Sequence, residues 1–319
     1  MFESLKNYEL PDYLLYTGTG GAKNWLKLDE SEIFPVSREL RELLEENLDS
    51  IVRSIPAGMS FVSIGVGNGE KEKILLEKIV IKNLTETEIP EEISIFYYPV
   101  DISSGLIEIA LEKVRDLPIG KKGIVGFIED LLSLKKHWRP PILFSILGNT
   151  FCNYDPEYIL KLVYDNLEEG DLFFFDSNLF PAPDPYEEAS SATKQALATK
   201  NILNTYASKE NALFNMYPLL QYGMVPKDFD FELLLANTDS RVGKLYRTRK
   251  TLNILRGSSL KIGPNNINFK EGDIIRMGFT YKYTYGQILS FLDIYKFELL
   301  KAYSNQDMTN AIFLVKKRI

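Results

Sequence analysis

From residue 59 to 180, apolar runs alternate with turns and with stretches of helical spacing. Phe61-Val62-Ser63-Ile64 stops at Gly65-Val66-Gly67-Asn68-Gly69, after which Ile74, Leu75, Ile79 and Val80 share one apolar face. That is a buried parallel strand, a tight turn and a helix. Ile93 to Val100 reads as the next strand and delivers Asp101 at its end; a helix over Ser103–Val114 and a short strand over Gly123–Ile128 follow. Ile142 to Gly148 is apolar throughout, as a central strand should be. Asp155-Pro156 supplies an N-cap and a first-turn proline for a helix ending at Gly170, and Leu172–Asp176 is a fifth buried strand. Strand and helix alternating in this way predict an α/β fold, a doubly wound parallel sheet with helices on both faces.

The flanks follow different patterns. Residues 1–58 carry a mobile-looking loop at Tyr16-Thr17-Gly18-Thr19-Gly20-Gly21, read as a surface loop with a packed aromatic or, once a ligand site is granted, as a lid, and an amphipathic helix from about Ser37 to Ile51. After Pro181-Ala182-Pro183-Asp184-Pro185 the chain is helical to about 222 and then alternates polar and apolar residues from Phe229 to Tyr283, an antiparallel β insertion. Thr284-Tyr285-Gly286-Gln287 is a capping box for a helix through Tyr295, and Phe297–Tyr303 and Ala311–Lys316 predict a closing hairpin. The expected organisation is an N-terminal helical and lid segment at 1–58, a core at 59–183, an inserted substrate domain at 184–275, and a return to the core at 276–319.

Composition narrows the function. The 319 residues are 45% hydrophobic and 25% charged, enough for a sizeable core. A net charge of -7 argues against nucleic acid as partner, and no apolar run is long enough to span a bilayer. The single cysteine, Cys152, rules out an internal disulfide and suggests a cytoplasmic setting. With one histidine besides, the usual zinc ligand sets are missing and no metal is expected. Cys152 itself reads as a small core residue rather than a nucleophile.

The glycine turn lets a ligand approach backbone that has no Cβ, beneath donors at a helix N-terminus. It is not the dinucleotide fingerprint: after Gly65 and Gly67, position 70 is Glu, which would repel a pyrophosphate. A cofactor without phosphate suits it better. Asp101 can cap the helix beginning near Ile102-Ser103-Ser104 or accept both hydroxyls of a ribose, and the turn upstream favours the ribose.

Taken together with the terminal hairpin, these features resemble a class I S-adenosylmethionine-dependent methyltransferase. More narrowly the chain resembles the histidine-specific family, which includes the ergothioneine-pathway enzymes and the dimethylallyltryptophan N-methyltransferases. The resemblance rests on LPDYLLYTGTGGAKNW at 10–25, Ile33-Phe34-Pro35, SIGVGNGEK, YYPVDIS, ILGNTFCNYDP, PYEE at 185–188 and EGDIIRMGFTYKYT at 271–284. It implies an S-adenosyl-L-methionine site at Gly65, Gly67, Lys71 and Asp101, with Phe127-Ile128 where the family has an Asp-Phe pair beside the adenine. It implies Asn153 and Tyr186 as the groups that orient the acceptor, with Phe34 near a family tyrosine. Asn153 can instead be a helix cap, although Asp155 already fills that role. Tyr186 can instead merely pack.

Gly278 and Thr280 stand where the histidine enzymes have Glu and Ser. Strand alternation puts both on one face. Glycine cannot accept an imidazole N–H and leaves room, so the expected acceptor is a small amine or amino acid bulkier or less polar than histidine. N-methyl transfer is the expected activity. The alternatives are an inactive S-adenosylmethionine-binding or partner-binding protein and, disfavoured by the missing fingerprint, a nicotinamide oxidoreductase.

Overall fold

The computed structural model describes residues 1–32, 34–86, 95–182 and 188–318. In chain order the strands are β1 Glu9–Leu10, β2 Ser60–Ile64, β3 Phe96–Asp101, β4 Gly120–Lys121, β5 Ile124–Val125, β6 Ile142–Ile146 and β7 Leu172–Asn178. They continue as β8 Phe229–Ser240, β9 Gly243–Ile254, β10 Ser258–Ile262, β11 Asn265–Phe269, β12 Ile274–Lys282, β13 Phe297–Ser304 and β14 Asn310–Lys317. The chain folds into two units, Met1–Pro35 with Pro183–Lys282 and Val36–Ala182 with Tyr283–Ile319.

The second unit, the core, is built on one sheet in the order β13-β14-β7-β6-β2-β3-β4, with β5 also pairing β3. β4, β5, β3, β2, β6 and β7 run parallel, while β14 is antiparallel to β7 and to β13. Every residue of β2 and β6 is buried, which explains their unbroken apolar runs. The chain winds outward in one direction from β2 and in the other from β6, so the switch in strand order lies between these two neighbours. Helix Val36–Arg53 lays Leu43, Leu44, Leu48, Ile51 and Val52 into the same cluster as Phe61, Tyr97, Phe174, Ile312 and Leu314. Thr284 and Gln287 form the reciprocal capping box ahead of helix Tyr285–Ile294. The third expected strand is shorter than its apolar run: Ile124–Val125 alone pairs with β3, because the chain turns into a 3-10 helix at Ile128–Asp130.

The first unit carries the insert, a four-stranded sheet in the order β1-β12-β9-β8 and the separate hairpin β10-β11. Helix Lys209–Leu220 contributes Met216 and Leu219 to a cluster with Leu252, Ile254, Leu260, Ile267, Phe269 and Ile275. Leu5 and Leu10 join that cluster, because β1 pairs in parallel with β12. Residues 1–35 therefore pack with the insert, and Ile274–Lys282 is one of its strands.

One local expectation is corrected. Gly18–Asp29 is a helix, where a mobile loop was expected at 16–21. Its glycines serve packing: a Cβ on Gly20 would lie 1.8 Å from the Tyr217 hydroxyl, and one on Gly21 would meet the Leu15–Tyr16 backbone within 2.8 Å. Trp25, Tyr16 and Phe214 fasten the helix ring against ring at centroid distances of 5.4–5.8 Å. A glycine cluster marks close approach here, and composition does not separate that from freedom to move.

Candidate active site

Two turns meet above the switch point of the core sheet. The first follows β2. Gly65, Gly67 and Gly69 take φ of 70°, 55° and 73°, left-handed conformations that favour glycine. The Gly65 N–H donates to the Val100 carbonyl at 2.9 Å and ties the turn to β3. A Cβ on Gly69 would stand 2.8 Å from Ala110 Cα, so this glycine lets two helices touch. Glu70, at the start of the next helix, is paired with Lys113.

Asp101 ends β3 and is buried beside that turn. Burial pushes its carboxyl up to about 6, while backbone N–H groups of Ser103, Val66, Ile102 and Gly67 pull the other way. The Ser103 N–H lies at 2.9 Å, so the acid closes a turn onto the residue before helix Ser104–Lys113, none of whose own first-turn N–H groups has a side-chain cap. An ionised carboxylate has about four acceptor positions, so this turn leaves others for a ligand.

The second turn follows β6. Gly148 and Asn149 are both left-handed, with φ of 78° and 64°. Their N–H groups donate to the Asp176 carboxylate on β7 at 2.8 and 2.6 Å, and Asn149 Oδ1 accepts from the Asn178 N–H at 2.9 Å. A Cβ on Gly65 would press on Thr150 at 3.1 Å, which brings the two turns together. The clamped turn leads into a 3-10 helix ending at Asn153, which is partly exposed. Asp155, not Asn153, caps the following helix, accepting from Glu157 and Tyr158.

Beneath the turns lies a charged cluster whose side chains are almost wholly removed from water. Lys71 Nζ donates to Ser37 Oγ at 3.3 Å and sits against Gly148; among the described residues no carboxylate comes within ion-pair distance of it. Glu72 accepts from Ser63 Oγ at 2.8 Å. Burial raises the carboxyls of both Glu72 and Asp176, and the Lys71 charge counteracts this in each. Of the pair after β5, Phe127 exposes its ring and Ile128 is buried in the core. Cys152 is buried, with Sγ 3.1 Å from Ser177 Oγ.

This arrangement offers a turn of three left-handed glycines, an acid at the neighbouring strand end and a buried ammonium whose hydroxyl partner among the described residues is Ser37. A family described as histidine-specific methyltransferase, SAM-dependent, matches residues 2–317. The chain belongs to that family. It is an S-adenosylmethionine-dependent methyltransferase with the class I strand order. The curated N-methyltransferase imqF of Aspergillus flavus is 22% identical over 312 residues, covering 95% of this chain and 79% of that protein. Among solved structures, an S-adenosylmethionine-dependent methyltransferase from Clostridium acetobutylicum aligns at 12% identity and a TM-score of 0.42, over 89% of this chain and 92% of that one. CalS10, an amino pentose methyltransferase from Micromonospora echinaspora, aligns at 9% identity and 0.38, over 94% and 97%.

The other residues singled out in the sequence belong to the insert's unit. Phe34 is buried edge-on against the Tyr206 ring at 5.5 Å, and Lys282 Nζ reaches the Tyr206 hydroxyl at 3.2 Å. Thr280 is buried and donates its N–H to Thr248 Oγ1 at 3.2 Å. Gly278 falls within a β-bulge between Arg276 and Phe279, so strict alternation does not relate it to Thr280. The space expected beside Gly278 is filled: an added Cβ would lie 1.7 Å from Asp12 Oδ2. Tyr186 lies outside the described residues. No helix among the described residues is long and apolar enough to cross a membrane, and among them no group of three or more His, Cys, Asp or Glu could hold a metal ion.

Sequence reasoning named Gly65, Lys71 and Asp101 but missed Asp176, Glu72, Asn149 and Asp12. The signal for Asp176 was an acid closing the run Leu172–Phe175, where a charge inside a buried strand needs donors. Asn149 carried the signal of a Gly-Asn pair after a central strand.

Proposed function

We propose that this protein transfers a methyl group from S-adenosylmethionine to the nitrogen of a small amine or amino acid. The observation that carries the reading is Asp101: a buried acid at a strand end, turned toward the N–H groups of a three-glycine turn beside the switch point. Gly65 and Gly67 give the cofactor close access to backbone, and Asp101 accepts from the ribose hydroxyls. Lys71, with spare donors in a buried place, takes the cofactor's carboxylate. Phe127 covers one face of the adenine, and Ile128 packs behind it. A phosphate-bearing dinucleotide is disfavoured by the glycine spacing, which puts Glu at position 70 where its fingerprint needs glycine.

Bound S-adenosylmethionine supplies a methyl group already activated by its sulfonium charge. The chain's own contribution is orientation. Asn153, and Tyr186 by resemblance alone, hydrogen-bond the acceptor so that the nitrogen lone pair is presented; Phe34, Gly278 and Thr280 shape acceptor recognition in the insert. The Aspergillus flavus relative, named an N-methyltransferase, supports nitrogen as the reacting atom.

The test is a methyl-donor assay of the purified protein against free amino acids and simple amines, read by product mass. Gain of methyl groups on a nitrogen is the expected result. Tight binding of S-adenosylhomocysteine with no transfer to any acceptor would replace this reading with a non-catalytic one.

A further inference from the structure

A chain of polar side chains runs from the first turn of helix Val36–Arg53 to the turn after β6, and every link lies in the core unit. Glu39, half-buried in that first turn, accepts from Asn310 Nδ2 at 2.7 Å. Asn310, the first residue of β14, is wholly buried, and its Oδ1 accepts from Asn178 Nδ2 at 3.2 Å. The two asparagines stand directly opposite each other on β14 and β7. Asn178 in turn donates its N–H to Asn149 Oδ1 at 2.9 Å. The turn after β6 is thus held twice from β7, by Asp176 on its backbone and by Asn178 on a side chain.

An asparagine amide can face either way, so such a chain needs an end that fixes its sense. Glu39 supplies that end. An ionised carboxylate only accepts, which draws the Asn310 NH2 toward it and turns Oδ1 toward Asn178. The Thr309 carbonyl, accepting from Asn178 Nδ2 at 2.9 Å, enforces the same sense at the next link. Asn305 Oδ1 accepts the Asn310 N–H at 3.0 Å, so the backbone beneath the amide is pinned as well. Satisfied buried amides make what they hold rigid, and removing one link leaves its neighbours sheltered and unpaired.

We propose that Glu39 and Asn310 are positioning residues for methyl transfer. Through Asn178 they hold the Asn149 side chain, and with it the short 3-10 helix Thr150–Asn153 that ends at Asn153. The inference rests on the amine-transfer reading above, in which Asn153 orients the acceptor, and extends it to residues that act through another. Asp176 holds the N–H groups of Gly148 and Asn149 without this chain, so the place of Gly148 against Lys71 does not depend on it. Acceptor orientation therefore depends on Glu39 and Asn310, and cofactor affinity does not. A displacement of about 1 Å at an orienting group can cost about 100-fold in rate.

The experiment compares wild type with Glu39→Ala, Glu39→Gln, Asn310→Ala and the double alanine variant. Amide hydrogen exchange over 147–154, measured on the protein without ligand, is the first readout. Either alanine substitution is expected to raise it about tenfold, whereas Glu39→Gln keeps an acceptor for Asn310 and should exchange as wild type does. The second readout is kcat with an acceptor found in the methyl-donor assay. It should fall about 10- to 100-fold in both alanine variants and recover in Glu39→Gln. The double variant should be no slower than the worse single one, because one chain is cut only once. Calorimetric Kd for S-adenosylhomocysteine should stay within about twofold throughout. Should Asn310→Ala fail to fold, the two Glu39 variants decide the matter, since Glu39 is only half-buried. Wild-type exchange in Glu39→Ala overturns the chain, and raised exchange with kcat intact overturns its part in positioning. Wild type that transfers a methyl group to no acceptor sinks the amine-transfer reading and this role together, a result that appears before any substitution is made.

Discussion

Asp101 is 7% exposed, and two influences on its carboxyl oppose each other: burial lifts it to about 6, and four backbone N–H groups favour the charge. With the folded value above the unfolded one, the native state holds the proton longer. This group's contribution to stability is therefore greatest below about pH 4 and falls as pH rises toward 6. Binding has the opposite sign. Ribose hydroxyls donate to the ionised form, so cofactor affinity should rise up to about tenfold per pH unit below 6 and level off above 7. Asp101→Asn should weaken S-adenosylhomocysteine by roughly 10- to 100-fold at pH 7.5 and flatten the pH profile. Titration calorimetry between pH 5 and 8 checks both. Wild-type affinity that is flat across that range would separate Asp101 from the ribose.

At the scale of elements, the turn after β6 depends on one buried side chain of β7. Asp176 binds the N–H groups of Gly148 and Asn149 and so fixes the turn that leads to Asn153. Asp176→Ala leaves two sheltered donors without a partner, each worth about 1–3 kcal/mol. The urea midpoint should fall clearly. Asp49→Ala, which removes only a surface pair with Lys78, should leave the midpoint where it was. Equal effects of the two substitutions would mean that Asp176 does not hold the turn. The same elements show what was legible in the chain. Uninterrupted apolar runs marked β2, β6 and β7 because both sheet faces are covered, and the capping box at Thr284 marked its helix. Helix Gly18–Asp29 was not legible, since its glycines have the composition of a loop and reveal their packing only against Tyr217. Nor was β1, two residues whose pairing with β12 spans most of the chain. Asp12 stayed hidden for the same reason: local spacing carries no trace of a partner at position 278.

Over the whole molecule, the chain enters and leaves the core unit so that the insert is discontinuous, residues 1–35 packing with 183–282. The two ends that the insert leaves on the core lie side by side. Leu179 pairs with Tyr283 as a parallel bridge, and the Phe180 N–H donates to the Tyr283 carbonyl at 2.7 Å. A few Gly and Ser residues therefore suffice to join 182 to 283. The core keeps its own cluster, in which helix Val36–Arg53 packs with Phe61, Tyr97, Phe174, Ile312 and Leu314. Residues 1–35 do not share in it: Leu5 and Leu10 are fully buried in the cluster built with Leu252, Ile254 and Ile275. Removing 183–282 alone would strip those two leucines of their partners in the insert, up to about 1.5–3 kcal/mol of burial lost for each, and leave a sticky N-terminal segment. A chain of 36–182 joined to 283–319 should thus unfold cooperatively in urea and stay monomeric by light scattering. The same chain with 1–35 restored should aggregate. A shortened core without a cooperative transition, or one improved by restoring 1–35, would show that the first 35 residues belong to the core.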